Sequence, residues 1–224
     1  MSRTLWVTGV SVFALTVLLN TPAAFVARFV PWSAGWQPQG VTGTLWHGRI
    51  EQAGVMGPVV WNVRPLAGQL NLSAGFQQQN WQVTLSGWPW AWQAQLTPVA
   101  SLPTPFSAYR LDGHWQGRLQ LFGRGTRCLA SDGDIHGQDV AMLSPWTVVL
   151  GNADIKVDCS SGTRLLVDIQ RDGEHHIQAQ VEPTVRRATI SGQVEPNASV
   201  APLLLQAGIL KAGASQFETV LGQR

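Results

Sequence analysis

Short segments in which apolar and polar residues alternate follow one another along most of this 224-residue chain, and they constrain its fold more than any other feature. Residues 69–73 (Gln-Leu-Asn-Leu-Ser) and 81–86 (Trp-Gln-Val-Thr-Leu-Ser) alternate with a period of two, which is the period of a half-buried strand. The segments are bounded by Gly, Pro or Asn and recur roughly every 8–12 residues, a spacing typical of all-β folds. The sequence therefore predicts a mainly β protein, built as a curved sheet, a sandwich or an open barrel.

The candidate strands form two sets on either side of a proline-rich segment, residues 97–105. Trp46-His-Gly-Arg near the beginning of the first set is echoed by Trp115-Gln-Gly-Arg near the beginning of the second. Such a pair of sites indicates a glycine that lets a neighbouring backbone approach, with a tryptophan packed over it. The echo favours two related β halves.

The N-terminal residues differ from the rest because residues 4–27 contain no charged side chain. A membrane-spanning helix needs about 20 mostly apolar residues, so this stretch is predicted as a single transmembrane helix that Pro22 kinks or ends. The amino terminus and Arg3 precede it and Arg28 follows it, which favours an amino terminus in the cytoplasm. The alternative is a cleaved signal peptide with its cleavage region at 21–24. Both interpretations place the remaining chain outside the cytosol.

The predicted layout adds one short soluble helix near the C terminus, where apolar residues recur at helical spacing in 200–211. Its segments are a cytoplasmic stub at 1–3, the transmembrane helix at 4–27, a linker at 28–41 and a periplasmic β-rich domain at 42–224, with 42–97 and 106–224 as the two halves.

Cys128 and Cys159 are the only cysteines, and both follow the apolar N-terminal stretch. In an oxidising compartment such a pair usually forms a disulfide, which we predict here; two unpaired buried thiols are the alternative.

Eleven tryptophans stand in a chain with only 12% charged residues and a net charge of +2. No cluster of Lys and Arg is present, which argues against nucleic-acid binding. Trp88, Trp90 and Trp92 would share one face of an extended segment, and Pro89 places that segment at a sheet edge or in a loop. These three residues are a candidate surface for contact with protein or lipid. Alternatively, their rings cover the core.

The sequence contains no recognisable pattern of catalytic, cofactor-binding or metal-binding residues. The histidines lack metal-site spacing, and His175 and His176 would face opposite sides of a strand. Asp132-Gly-Asp lacks the later ligands of a calcium loop and is typical of a turn. No serine lies in a nucleophile motif, and no glycine-rich phosphate loop is present. We therefore expect no enzyme activity, no cofactor and no metal site.

Residues 39–49 (Gln-Gly-Val-Thr-Gly-Thr-Leu-Trp-His-Gly-Arg) resemble a segment of the N component of the bacterial type II secretion system. That family has Gly-x-x-Gly-Thr-Leu-Trp-x-Gly shortly after a single N-terminal membrane span. The matching residues here are Gly40, Gly43, Thr44, Leu45, Trp46 and Gly48. Residues 61–66 and 202–208 are also similar to parts of that family, so the resemblance extends over the layout of the whole chain.

This resemblance implies an accessory or scaffold subunit of the bacterial inner membrane, single-pass, with most of the chain in the periplasm. Such a subunit supports the export of folded proteins across the outer membrane through contacts with other inner-membrane or periplasmic subunits, with the secretin as one candidate partner. The resemblance supplies no catalytic residue. The strand style and the Gly-Thr-Leu-Trp-x-Gly motif are also similar to AsmA-like envelope proteins, and the alternative function is therefore to bind or organise lipid.

Overall fold

The computed structural model describes residues 3–33, 35–54, 56–76, 79–99, 110–144 and 146–222. Most of them lie in strands, joined by short turns. The helices are α1 (Arg3–Asn20), α2 (Ala23–Ala27) and α3 (Ala201–Gln206), and a single 3-10 turn spans Pro65–Ala67. The strands are β1 (Pro38–Gln39), β2 (Thr42–Gly43), β3 (His47–Ile50), β4 (Gln52–Ala53), β5 (Met56–Arg64), β6 (Gln69–Phe76), β7 (Gln79–Trp88), β8 (Ala91–Val99), β9 (Arg110–Arg124), β10 (Arg127–Ser144), β11 (Val148–Asp158), β12 (Arg164–Arg171), β13 (His175–Glu182), β14 (Arg187–Val194) and β15 (Gln216–Gly222).

All these strands belong to one open antiparallel sheet in which the order of strands from β4 to β15 follows the chain. Strand β1 pairs with β4, and β3 pairs with β5 and carries β2. Strands β8 and β9 pair directly, so the two predicted halves contribute to the same sheet. The prediction of a mainly β fold is confirmed. The strands form one open sheet. The linker predicted at 97–105 lies mostly outside the described residues, and its first three residues belong to β8.

The alternation of apolar and polar residues separates the sheet into two faces. Directly paired residues from β5 to β9 give an apolar row on one face: Trp61, Leu72, Val83, Leu96 and Leu119. The adjacent row on the other face is polar: Asn62, Asn71, Thr84, Gln95 and Gln120. Because side chains of successive residues point to opposite faces, the period of two in the sequence becomes one apolar and one polar surface.

The same division continues into the C-terminal strands. Paired residues from β11 to β14 extend the apolar face: Ile155, Val167, Ala179 and Ile190. Paired residues from β10 to β14 extend the polar face: His136, Asp154, Asp168, Gln178 and Ser191. The two apolar rows lie on the same face of the sheet. Ile135, at the start of the second row, pairs with Gly117 of β9, and Gly117 stands two residues before Leu119 and therefore shares its face.

The main buried cluster lies where the segment containing α3 covers the apolar face near β11, β14 and β15. Its members are Val148, Val194, Ala198, Val200, Ala201, Leu204, Leu210 and Phe217. The predicted short C-terminal helix is present, although α3 ends at Gln206 and is shorter than the predicted 200–211. Leu210 follows the helix and still packs into the cluster, since its N–H donates to the carbonyl oxygen of Leu204.

The predicted transmembrane helix over residues 4–27 is corrected to two shorter helices. Helix α1 has 18 residues and ends at Asn20, and α2 has five residues and begins at Ala23. Pro22 between them has extended backbone angles; it lacks an N–H and disfavours helical geometry at the preceding residue. Within the part of the chain that the structure describes, no helix is both long enough and apolar enough to cross a membrane.

Candidate interaction surfaces

The Gly-x-x-Gly-Thr-Leu-Trp-x-Gly segment contains a tight bend that connects β2 to β3. Gly43 has a φ of 87°, in the left-handed region, and a Cβ there would lie 2.7 Å from the Cα of Gly48. The Thr44 hydroxyl oxygen accepts the N–H groups of Trp46 and His47, both at 3.3 Å. Gly40 precedes the bend and lies against the side chain of Glu51.

This bend connects helix α1 to the sheet. The Trp46 indole N–H donates to the carbonyl oxygen of Leu18 at 3.1 Å, and the Leu45 N–H donates to that of Thr21 at 3.2 Å. On the sheet side, the Val63 N–H donates to the carbonyl oxygen of Trp46 at 2.6 Å. We call residues 43–48 the helix–sheet joint. In this structure, the joint fixes the end of α1 beside β5.

Gly48 of the joint lies under the indole ring of Trp61, its partner across the β3–β5 pair. A Cβ on Gly48 would meet the ring at 2.8 Å from Cη2 and the Thr42 carbonyl oxygen at 2.6 Å. The Trp61 indole N–H donates to the carbonyl oxygen of Leu45 at 3.1 Å. The prediction that a neighbouring tryptophan covers this glycine is therefore correct in kind, but the ring comes from the paired strand and not from Trp46.

The same cross-strand arrangement of an aromatic ring over a glycine recurs along the sheet. The other pairs are Trp92 with Gly123, Trp115 with Gly137 and Phe217 with Gly192. An aromatic ring that covers a glycine on the next strand compensates for the side chain that the glycine lacks. These pairs explain part of the high tryptophan content, and sequence reasoning missed them because the partners are far apart in the chain.

The three tryptophans of the candidate surface separate into an exposed pair and a packed residue. Trp88 ends β7 and Trp90 lies in the β7–β8 turn; they are 48% and 65% exposed, and their rings stack with centroids 5.6 Å apart. Trp92 is half-buried over Gly123, and its indole N–H donates to the carbonyl oxygen of Gly125 at 2.9 Å. The prediction of one shared face is wrong for Trp92 because the chain reverses between Trp88 and Ala91. Binding by Trp88 and Trp90 remains a prediction.

The structure contains the predicted disulfide between Cys128, in β10, and Cys159, which directly follows β11. Asp158 beside it accepts the Ser160 N–H at 2.8 Å and pairs with the Arg164 guanidinium. Hydrogen bonds from Ser160, followed by the Arg164 interaction, hold the pKa of the Asp158 carboxyl below its usual value. The disulfide and these bonds fix the turn that leads from β11 to β12.

The polar face carries a group of mutually paired charged side chains. The His136 ring lies between Asp134, with Nε2 3.2 Å from the carboxylate, and Asp154, which contacts Nδ1. The Lys156 ammonium lies 3.7 Å from Asp134. On the neighbouring strands, His176 Nε2 lies 2.8 Å from Asp168. A shallow concavity of about 710 Å³ runs along this face. Among the described residues, no group of His, Cys, Asp or Glu has an arrangement that could hold a metal ion.

His175 and His176 point to opposite sides of β13, as predicted: His176 is exposed, whereas His175 is only 5% exposed. His175 Nε2 lies 3.0 Å from the carbonyl oxygen of Leu150, and its Nδ1 is buried without a hydrogen-bond partner among the described residues. Burial lowers the pKa of His175, although the Leu150 carbonyl and Glu174 act in the opposite direction.

Stability is therefore expected to fall when the pH is lowered below 6.5, the usual pKa of histidine. Just below that pH the unfolded chain binds a proton at this residue more readily than the folded chain does, so acid favours unfolding. His175→Gln removes the titration and should flatten the dependence of the urea midpoint on pH just below 6.5. The pKa values of the Asp158 and Glu174 carboxyls are also lowered by hydrogen bonds from Ser160 and Ser199. The stability that these two groups contribute is lost at lower pH, as the pH falls below their usual pKa values of 3.8 and 4.5. An unchanged slope in His175→Gln would contradict the assignment.

Comparison with known proteins identifies one family. The model described as "Type II secretion system (T2SS), protein N" matches residues 34–210, a range that includes the helix–sheet joint, the exposed tryptophan pair and both cysteines. No curated protein and no solved structure matches the chain. The matched range covers well over half of the 224 residues. The chain therefore belongs to the type II secretion system protein N family.

Proposed function

We propose that this protein is a non-catalytic accessory subunit of the type II secretion system, which supports the export of folded proteins across the outer membrane by holding other subunits in place. The observation that carries the proposal is the family match over residues 34–210. Membership implies interaction with other components of this system, and an open sheet offers both an edge and a face for such contacts. Inner-membrane and periplasmic subunits are the proposed partners, with the secretin as one candidate.

We place the sheet in the periplasm, at the inner membrane. Two features support this location. The Cys128–Cys159 disulfide fits an oxidising compartment. Helix α1 carries large apolar side chains with high exposure, such as Leu5 at 65%, Trp6 at 70% and Phe13 at 71%, and these favour contact with lipid over contact with water.

Strand β15 is the element best suited to receive a partner. It pairs with β14 and with no other described strand, so one side of its backbone is free to form hydrogen bonds. It contains no proline, and Val220 on it is 60% exposed. An extended segment of a partner can add to such an edge, with backbone hydrogen bonds giving affinity and side-chain contacts giving specificity.

A second candidate function, binding or organising lipid in the manner proposed for AsmA-like proteins, is favoured by the apolar face. Val157, Leu165 and Val181 lie in one row of that face and remain partly accessible, beyond the region covered by the α3 segment. An acyl chain that lies along this row would bury them.

The two functions are distinguished by isolating the full-length protein from cells and identifying what accompanies it. Val220→Lys places a charge on the free edge and should disfavour strand addition. Val60→Lys is the matched control, because Val60 is also exposed, at 43%, but β5 is paired on both sides. We expect Val220→Lys to reduce recovery of other secretion subunits by a factor of about ten, which corresponds to about 1.4 kcal/mol of binding, and Val60→Lys to leave recovery unchanged.

Equal recovery with both variants would overturn strand addition at β15. Recovery of no secretion subunit by the wild-type protein, together with stoichiometric lipid in native mass spectrometry, would support the lipid function instead. Far-UV circular dichroism of both variants confirms that the sheet is intact.

A further inference from the structure

Three neighbouring turns at one end of the sheet form a continuous surface, which we call the tip surface: residues 64–68, 88–91 and 124–127. The turns are joined by hydrogen bonds. The Gly87 N–H, at the start of the second turn, donates to the Gly68 carbonyl oxygen at 2.9 Å, and the Gly125 N–H donates to the Pro89 carbonyl oxygen at 2.6 Å. The Arg124 guanidinium donates through Nε to the Trp90 carbonyl oxygen at 3.1 Å. These contacts hold the three turns in a fixed relation to one another.

The tip surface combines exposed apolar side chains with positive charge. Leu66 is 96% exposed, and the stacked rings of Trp88 and Trp90 belong to the adjacent hairpin. The three turns contain three exposed arginines and no acidic residue: Arg64, Arg124 and Arg127. None of these arginines forms an ion pair with a carboxylate in the described residues.

Helix α1 ends at the same end of the sheet. The Trp46 indole N–H donates to the carbonyl oxygen of Leu18 in α1, and the Trp46 carbonyl oxygen accepts the N–H of Val63. Val63 directly precedes the tip surface. The C-terminal end of the exposed apolar helix and the exposed tryptophan pair therefore lie at the same end of the sheet, where the proposed membrane contact of α1 would hold the chain.

We propose that the tip surface binds a bilayer that contains anionic phospholipid. Tryptophan has an apolar body and one N–H donor and is enriched at the membrane–water interface, where Trp88 and Trp90 would lie. Arginine forms bidentate hydrogen bonds with phosphate and is attracted by the negative potential of anionic lipid, which assigns Arg64, Arg124 and Arg127 to headgroups. All residues of this contact lie in turns of the sheet. The contact would therefore orient the strands relative to the membrane, whichever secretion subunits bind the protein.

The test uses the full-length protein in vesicles with an environment-sensitive fluorophore on a single added cysteine. Pro89→Cys places the label between the two tryptophans, whereas Asp172→Cys places it in the exposed β12–β13 turn at the opposite end of the strands. The native cysteines are joined to each other and do not react with the label. In vesicles of phosphatidylcholine with phosphatidylglycerol, we expect a blue shift of the emission at position 89, together with quenching by a lipid-borne quencher, and no change at position 172.

Two variants of the Pro89→Cys protein separate the apolar and charged contributions. Trp88→Ser with Trp90→Ser should remove the blue shift, and both residues are exposed enough for the sheet to fold without them. Arg64→Gln with Arg127→Gln should remove the difference between vesicles with and without phosphatidylglycerol. A label at position 89 that stays as water-exposed as the label at position 172 overturns the proposal. So does a label that becomes shielded only after solubilised secretion subunits are added, which would make the tip a protein-docking surface.

Discussion

Removing the Cys128–Cys159 disulfide is expected to lower the free energy of unfolding by about 4 kcal/mol. The bond links residues 31 apart, and closing a loop of that length restricts the unfolded chain by this amount in the chain-entropy model. Since the total stability of a domain is about 5–15 kcal/mol, the loss is a large fraction of it. Cys128→Ser with Cys159→Ser should therefore shift the urea midpoint downward and lower the melting temperature by roughly 8–16 °C.

Reduction of the wild-type protein provides the control, because it breaks the same bond without changing the sequence. Both treatments should give the same midpoint. A loss below about 1 kcal/mol would mean that the β10–β11 region is already restrained in the unfolded chain, contrary to the simple entropy model.

Gly48→Val in the helix–sheet joint is expected to cost about 3 kcal/mol of stability. Any Cβ at this position would overlap the Trp61 ring, lying 2.8 Å from its Cη2, and would lie 2.6 Å from the Thr42 carbonyl oxygen, so strands β2, β3 and β5 must move apart. Because Trp61 also donates to Leu45 of the joint, a shift of its ring disturbs the link to α1 as well. Urea unfolding followed by circular dichroism measures the loss.

A double-mutant cycle with Trp61→Leu tests the cause of that loss. Leucine removes the ring above Gly48, so Gly48→Val should cost at least about 1 kcal/mol less in the Trp61→Leu background than in the wild type. The Thr42 contact remains, and some cost should persist. Strict additivity of the two substitutions would show that the ring does not constrain position 48.

The sequence predicted the strands well, because the property that identifies them is local. The alternation in 69–73 and 81–86 predicts half-buried strands, and in the structure their apolar residues Leu72 and Val83 are paired on the apolar face. Pro22 likewise indicated a break in the N-terminal helix. The sequence did not reveal which aromatic ring covers which glycine. Gly48 lies under Trp61 and Gly123 lies under Trp92 because of pairings between residues that are distant in the chain.

The candidate tryptophan surface could be predicted only in part, because the sequence does not show where the chain turns or which strands pair. Trp88, Trp90 and Trp92 share one face if the segment is extended, but the chain turns between Trp88 and Ala91 and sends Trp92 back into the sheet. The exposure of Trp88 and Trp90 depends on the β7–β8 turn, and the contact of Trp90 with Arg124 depends on the register of β8 with β9. The tip surface therefore required the three-dimensional arrangement.

The function proposed for this protein is tested most directly by the amount of type II substrate in the culture medium of cells whose chromosomal gene carries Val220→Lys. Secretion is expected to fall in these cells while the substrate accumulates in the periplasm, and cells with Val60→Lys are expected to secrete normally. Normal secretion in both strains, with both proteins present at wild-type levels, would contradict the claim that the free edge of the sheet holds the secretion machinery together.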